Sequence, residues 1–179
     1  MTQEDKNLLS RLKKGEDTAF NELVKTYQQQ IYQLAKRILG THHEAEDLTQ
    51  EVFIKVHHKI REFRGDASLF TWIYRIAVNL ALNAQRKRRF KQLVSLDVIG
   101  FSIASKRAAP DQETERNETL RLVRAAIDKL PEKQKIVFTL RHDQGLPHTE
   151  IAKIMNREEG TVRANYHQAL RKLRKAVKS

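Results

Sequence analysis

Apolar side chains recur along almost the whole chain at steps of three and four residues, and that period dictates helices. Its longest continuous expression is Ser68 to Arg89, SLFTWIYRIAVNLALNAQRKRR, enough for about six turns. Leu69, Trp72, Ile73, Ile76, Ala77, Leu80 and Ala84 form its expected core stripe. The other side offers Thr71, Arg75, Asn79, Asn83 and Arg86, and the stretch ends in the cationic run Arg86, Lys87, Arg88, Arg89. Amides pair with base edges, and guanidinium or ammonium groups neutralise phosphates. A solvated amphipathic helix with a basic end would carry the same residues, because cations suit a helix C-terminus. Three prolines and six glycines in 179 residues leave little to interrupt the period. The expected fold is all-α: two small helical domains joined by a linker, the second with a helix-turn-helix.

The first domain is expected to span residues 1–90. A short helix capped by Thr2 reaches Lys14 and stops at Gly15, with Leu8, Leu9 and Leu12 inward. A longer one runs from near Asp17 to just before Gly40, burying Phe20, Leu23, Val24, Tyr27, Ile31, Leu34, Ala35, Ile38 and Leu39. Next comes HHEAEDLTQEVFIKVHHKIREF, in which Leu48, Val52, Val56 and Ile60 share one face. Glu44, Glu46, Asp47 and Glu51 fall within eight residues with no lysine or arginine before Lys55. Acid near a helix start suits the dipole; it also suits docking to a basic partner element. Phe63-Arg64-Gly65-Asp66-Ala67 breaks the period as a turn, and Asp66 or Ser68 caps the following helix. The paired histidines His42–His43 and His57–His58 lack any HExxH or repeated carboxylate–histidine spacing, so no metal site and no cofactor are expected.

Residues 91–113 read as a linker with a glycine, a proline and several serines. It is apolar for a tether, carrying Leu93, Val94, Leu96, Val98, Ile99, Phe101 and Ile103, which points to docking on a neighbouring domain or a partner. The second domain spans 114–179. One helix uses Leu120, Val123, Ala126, Ile127 and Leu130 and stops at Pro131; another runs from Glu132 to about His142. Then HTEIAKIMN, REEG and TVRANYHQALRKLRKAVKS give a short helix, a tight turn and a longer helix, the spacing of a helix-turn-helix. Val162, Tyr166, Ala169, Leu170, Leu173 and Val177 form the inner side of the last helix. Thr161, Arg163, Ala164, His167, Gln168 and Arg171 face outward, with Asn165 between. From Gly160 onward there are six lysines and arginines and no carboxylate side chain, which suits duplex DNA.

A net charge of +12 agrees with a polyanionic partner, although 22 carboxylates among 34 lysines and arginines exclude a uniformly basic tail. Absence of cysteine excludes disulfides, thiolate metal sites and thiol catalysis, and fits an intracellular, cytoplasmic location. No signal peptide or membrane span is expected, because the first residues contain no long apolar run.

Three sets of motifs, in order, resemble a bacterial RNA polymerase sigma factor of the compact extracytoplasmic-function (ECF) group. Glu44-Ala45-Glu46-Asp47-Leu48-Thr49-Gln50-Glu51-Val52-Phe53 resembles that family's core-polymerase docking helix. Phe63-Arg64-Gly65 with Phe70-Thr71-Trp72-Ile73-Tyr74-Arg75-Ile76-Ala77-Val78-Asn79 resembles its promoter-melting segment. Leu130-Pro131, Gly145-Leu146, Glu150-Ile151-Ala152 and Gly160-Thr161-Val162-Arg163 resemble its C-terminal promoter-reading domain. The resemblance implies a specificity subunit that is not itself an enzyme, with core RNA polymerase, promoter DNA and an anti-sigma factor as partners. Core polymerase would be held through Glu46, Asp47, Gln50 and Glu51, with Leu48 and Phe53 as apolar support. Phe63, Arg64 and Phe70 of the loop, with Asn79, would capture a flipped base of the −10 element, and Thr71 and Trp72 would belong to the same melting segment. Arg75, Asn83, Arg86, Lys87, Arg88 and Arg89 would follow the melted strand. Thr161, Arg163, Ala164, Asn165, His167, Gln168 and Arg171 would read the −35 element. The chain departs from the family pattern at Asn165 and Gln168, where arginine is common, at Pro147-His148, and at the turn Arg157-Glu158-Glu159.

Without the resemblance, two other classes stay open. A stand-alone helix-turn-helix regulator would bind half-sites one helical turn apart and need neither the acidic helix nor the asparagine-lined one. An enzyme of nucleic-acid metabolism would need a phosphate loop, metal constellation or nucleophile–base pair, and no such spacing occurs.

Overall fold

The structure, a computed structural model, describes residues 3–98 and 115–178, with side chains for 3–91 and 121–176. Among the described residues it contains eight α-helices and no strand, the all-α class that the period predicts. Helices α1 (Gln3–Lys13) and α2 (Asp17–Leu39) keep the expected bounds. Gly40 terminates α2 at φ 94°, a left-handed conformation that costs a glycine nothing, and its N–H reaches the Lys36 carbonyl.

Helix α3 (His42–Lys59) starts on a side-chain cap. Thr41 Oγ1 accepts the Glu44 N–H at 3.3 Å and donates to Glu44 Oε2 at 2.6 Å. Glu44 is therefore occupied with starting the helix, which sets it apart from the other acids of the stripe. Thr41→Ala is expected to destabilise the protein by about 1 kcal/mol. Urea unfolding checks this, as a lowered midpoint at unchanged m-value. Leu48, Val52, Val56 and Ile60 are all buried, as their four-residue spacing predicts.

A single 3₁₀ turn (Ile60–Glu62) and a loop lead to α4 (Leu69–Val98). Ser68 is the cap: its Oγ accepts the Thr71 N–H at 3.0 Å. The helix runs nine residues past Arg89, so the linker expected from residue 91 begins as helix. Once nucleated, a helix propagates through its backbone bonds one residue at a time. Loss of the apolar period at Phe90 does not stop it while no glycine or proline intervenes. The side chains of the apolar linker residues Leu93 to Ile103, the Thr2 cap, and the side chains of Leu120 and Val177 lie outside the described residues.

The buried side of α4 differs from the expected stripe. Leu69, Ile73 and Ala77 are fully enclosed, but so are Thr71, Tyr74, Val78 and Ala81. Trp72, Ile76, Leu80 and Ala84 are only partly covered. A second layer explains the difference: α2 and α3 cover one side of α4, and α6 and α7 cover another.

That second layer is the C-terminal half, α5 (Glu115–Asp128), α6 (Glu132–His142), α7 (His148–Met155) and α8 (Glu159–Lys178). Helix α6 is buried from Gln134 to Leu140 and packs on α8, α7, α2 and α4. Even Lys135 is enclosed, its ammonium held by Asp128 at 2.8 Å. Asn156, at φ 51°, closes α7 and turns the chain into α8, giving the predicted helix-turn-helix. One apolar cluster runs from α1–α4 into Ile136, Val137, Leu140, Ile151, Ala152, Ile154 and Val162. A smaller one joins Ile127, Leu130, Phe138, Ala169 and Leu173. The halves thus share a core here.

Candidate nucleic-acid interface and docking surface

Helix α3 presents its acids outward. Glu46, Asp47, Gln50 and Glu51 are exposed, while Leu48 and Phe53 are buried beneath them. Each acid has a neighbour one turn away: His42–Glu46 at 3.2 Å, His43–Asp47 at 3.7 Å and Lys55–Glu51 at 3.5 Å. Such exposed pairs contribute little and yield readily to a partner. Beside them lies a feature that the sequence reading missed. Ile54 is 56% exposed and borders an open apolar groove with Phe20, Val24, Phe53 and His57. The signal was available, since Ile54 falls off the Leu48–Val52–Val56 stripe in an otherwise polar stretch.

The loop before α4 places Phe63 against Trp72, ring centroids 4.9 Å apart, with Arg64 exposed. Phe70 lies on Tyr74 at 4.2 Å. Thr71 is enclosed, and its hydroxyl meets Ser68 Oγ at 2.6 Å and the Glu150 carboxylate of α7. Arg75 donates from Nη2 to the Lys153 carbonyl at 2.9 Å. Farther along, Asn79, Asn83, Arg86, Lys87, Arg88 and Arg89 are all exposed. Arg88 reaches the Leu39 carbonyl at 3.4 Å and Arg89 lies 3.5 Å from Glu132. The expected strand-binding residues of α4 therefore divide into a covered first third and an open remainder. Tyr74 is fully buried, its hydroxyl between Gln144 Oε1 (3.1 Å) and Gln30 Oε1 (3.3 Å). Burial, then the nearby Tyr27, holds that phenol far above its usual range.

On α8, Thr161, Arg163, Ala164, His167, Gln168 and Arg171 form an exposed face, with Asn165 half-buried. Some of these groups are already engaged. Glu159 grips Arg163 at 2.9 and 2.5 Å, Asn165 donates to the Thr161 carbonyl at 2.8 Å, and Gln168 accepts from Gln134 at 2.6 Å. While Glu159 holds it, the Arg163 guanidinium is not free for another partner. Pro147 occupies the N-cap position of α7 without a side-chain bond, and His148 packs edge-on to Tyr166 at 5.3 Å. Desolvation, then Arg141 and Arg163, push the pKa of the His148 imidazole below its ordinary value. No helix among the described residues is long and apolar enough to cross a membrane.

Comparison with known proteins accounts for both halves. Residues 23–91 match Sigma-70 region 2, and residues 120–173 match Sigma-70 region 4. The chain is 33% identical to the ECF RNA polymerase sigma factor SigW of Bacillus subtilis (strain 168), covering 97% of this chain and 96% of that one. It is 37% identical to the ECF RNA polymerase sigma-E factor of Escherichia coli (strain K12), covering 92% and 90%. Its fold is similar to that of CnrH solved in complex with the cytosolic domain of CnrY, with TM-score 0.73, 22% identity and 97% of both chains covered. The chain belongs to the ECF sigma factors, the promoter-specificity subunits of bacterial RNA polymerase.

Proposed function

We propose that this chain grips core RNA polymerase with the acid face of α3 and selects promoters with α4 and α8, working in the cytoplasm without chemistry of its own. The division into domains at 1–90 and 114–179 follows from the same reading. Asp47, Gln50 and Glu51, with Glu46 at the edge, meet a basic element of the polymerase over the packed base of Leu48 and Phe53. The Phe63–Phe70 loop and Asn79 take a base from the separating −10 strand, with Thr71 and Trp72 in the same melting segment. Arg75, Asn83 and Arg86 to Arg89 follow its phosphates. Thr161, Arg163, Ala164, Asn165, His167, Gln168 and Arg171 meet the −35 duplex. An anti-sigma factor is the expected inhibitory partner.

One observation carries this reading: exposed acids sit on one helix, while exposed amides and cations sit on two others, in a chain matching both sigma-70 regions. The test combines purified protein with core polymerase on fragmented genomic DNA and maps new transcripts and permanganate-reactive thymines. Transcripts sharing upstream elements, with thymines unstacked near the start site, support the proposal. No binding to core polymerase and no new transcripts overturns it.

The α8 assignment has its own measurement. Arg163→Ala is expected to lose about 1–3 kcal/mol on the cognate −35 duplex if the guanidinium leaves Glu159 for a base edge. Equal losses on cognate and random duplexes would assign it to phosphate instead. Glu159→Gln is expected to act oppositely, freeing Arg163 and raising duplex affinity.

A further inference from the structure

We infer that the Phe90 ring is a stacking platform for one unpaired base of the melted strand, at the far end of the line of amides and cations along α4. This rests on the proposed reading of α4 as the melted-strand surface, and adds a side chain that lies outside the motifs and the basic run. Among the described residues Phe90 is the most exposed large apolar side chain, at 68%, ahead of Ile54 and Leu122. Exposure alone decides little, because single apolar groups are common on surfaces. Helical phase decides more. Phe90 follows Asn79 by eleven residues, which is three full turns and about 20°. Asn83 lies about 40° to one side of Asn79 and Arg86 about 20° to the other. All four side chains are exposed.

Phe90 also stands one turn beyond Arg86 and Lys87, so its ring neighbours two cations on the helix surface. Surfaces that hold a single strand combine these parts: cations track the backbone, and an aromatic face takes a base. From Ala67 to Leu96 the chain carries no carboxylate side chain, so the helix places no anion of its own along the line. Helix formation does not account for a phenyl ring here, since phenylalanine is a weaker helix former than arginine or lysine. The axial distance from Asn79 to Phe90 is about 16 Å at about 1.5 Å per residue. A strand at about 3.4 Å per nucleotide covers it with about five. The stacked base therefore lies within about five nucleotides of the one beside Asn79. Because α4 continues to Val98, the ring is carried on helix rather than on a loose segment.

The test uses the full chain assembled with core polymerase, and a fluorescent single strand from a promoter identified by transcript mapping. Otherwise identical strands carry one abasic site at each position in turn, and anisotropy titrations give the affinities. Phe90→Leu is expected to bind the intact strand about tenfold more weakly, within the range for losing one base–aromatic contact. Its slope of log affinity against log salt should match wild type, because no phosphate contact is removed. Phe90→Trp should keep wild-type affinity. With the wild-type chain, an abasic site at one position should also cost about tenfold. In Phe90→Leu that same abasic site should cost nothing further, since ring and base act as a pair. Leucine is the better helix former, so circular dichroism should be unchanged. Wild-type affinity in Phe90→Leu overturns the platform, and so does a loss that no abasic position shares. Failure of the wild-type complex to bind the intact strand overturns the α4 reading itself, and the platform with it.

Discussion

Asp47→Lys combined with Glu51→Lys is expected to lower affinity for core RNA polymerase by at least about a hundredfold, equivalent to about 2.7 kcal/mol. The two side chains are 63% and 55% exposed and lie one turn apart on the outer side of α3. Among the described residues they pair with His43 and Lys55, at 3.7 and 3.5 Å, and such exposed pairs contribute little folding energy. Lysine is also a better helix former than aspartate. The buried layer of Leu48, Val52 and Val56 is untouched, so circular dichroism and the thermal midpoint should stay close to wild type. Against a basic partner, reversal replaces two attractions by two like-charge juxtapositions, which cost several kcal/mol when poorly solvated. Surface plasmon resonance on immobilised core polymerase reads the loss directly. Glu4→Lys with Asp17→Lys, two exposed positions on α1 and α2, carries the same change in net charge and should bind normally. A folded double variant that still binds like wild type would falsify the assignment of α3 as the docking helix.

Helices such as α2 and α3 were legible because each has one wet side and one dry side, and a single stripe then fixes their orientation. Leu23, Ile31, Leu34 and Ile38, and Leu48, Val52 and Val56, follow that stripe and are buried. Helix α4 is less legible because it is covered on two sides. Tyr74 and Thr71, polar by type, are enclosed by groups 70 and 79 residues away, Gln144 and Glu150. No local period encodes a bond across such a separation. The site shows the same limit. Exposure of Asp47 and Asn79 follows from helical phase, whereas the grip of Glu159 on Arg163 and the cap role of Glu44 depend on rotamers. The end of α4 escaped for another reason: Phe90 breaks the apolar pattern without breaking the backbone.

Replacing Arg86, Lys87, Arg88 and Arg89 together by glutamine is expected to weaken single-strand binding by the chain on the order of a hundredfold at about 0.15 M salt. Each phosphate neutralised on a single strand contributes about 0.7 to the slope of log affinity against log salt, so four contribute about 2.8. The same arithmetic makes the loss vanish toward about 1 M salt. The fold should hold, because all four side chains are exposed and glutamine matches lysine and arginine as a helix former. Since α4 continues to Val98, the run is a collar inside a rigid helix. Arg86 and Lys87 extend the Asn79–Asn83 line at three- and four-residue steps, whereas Arg88 and Arg89 lean on Leu39 and Glu132. Arg86→Gln with Lys87→Gln should therefore carry more than half of the slope change. Arg88→Gln with Arg89→Gln removes cations already engaged by the Leu39 carbonyl and Glu132, so its loss should be the smaller. Anisotropy titrations at several salt concentrations separate the two pairs. If neither pair changes the slope, the phosphate-tracking role of the collar is wrong even where affinity has fallen.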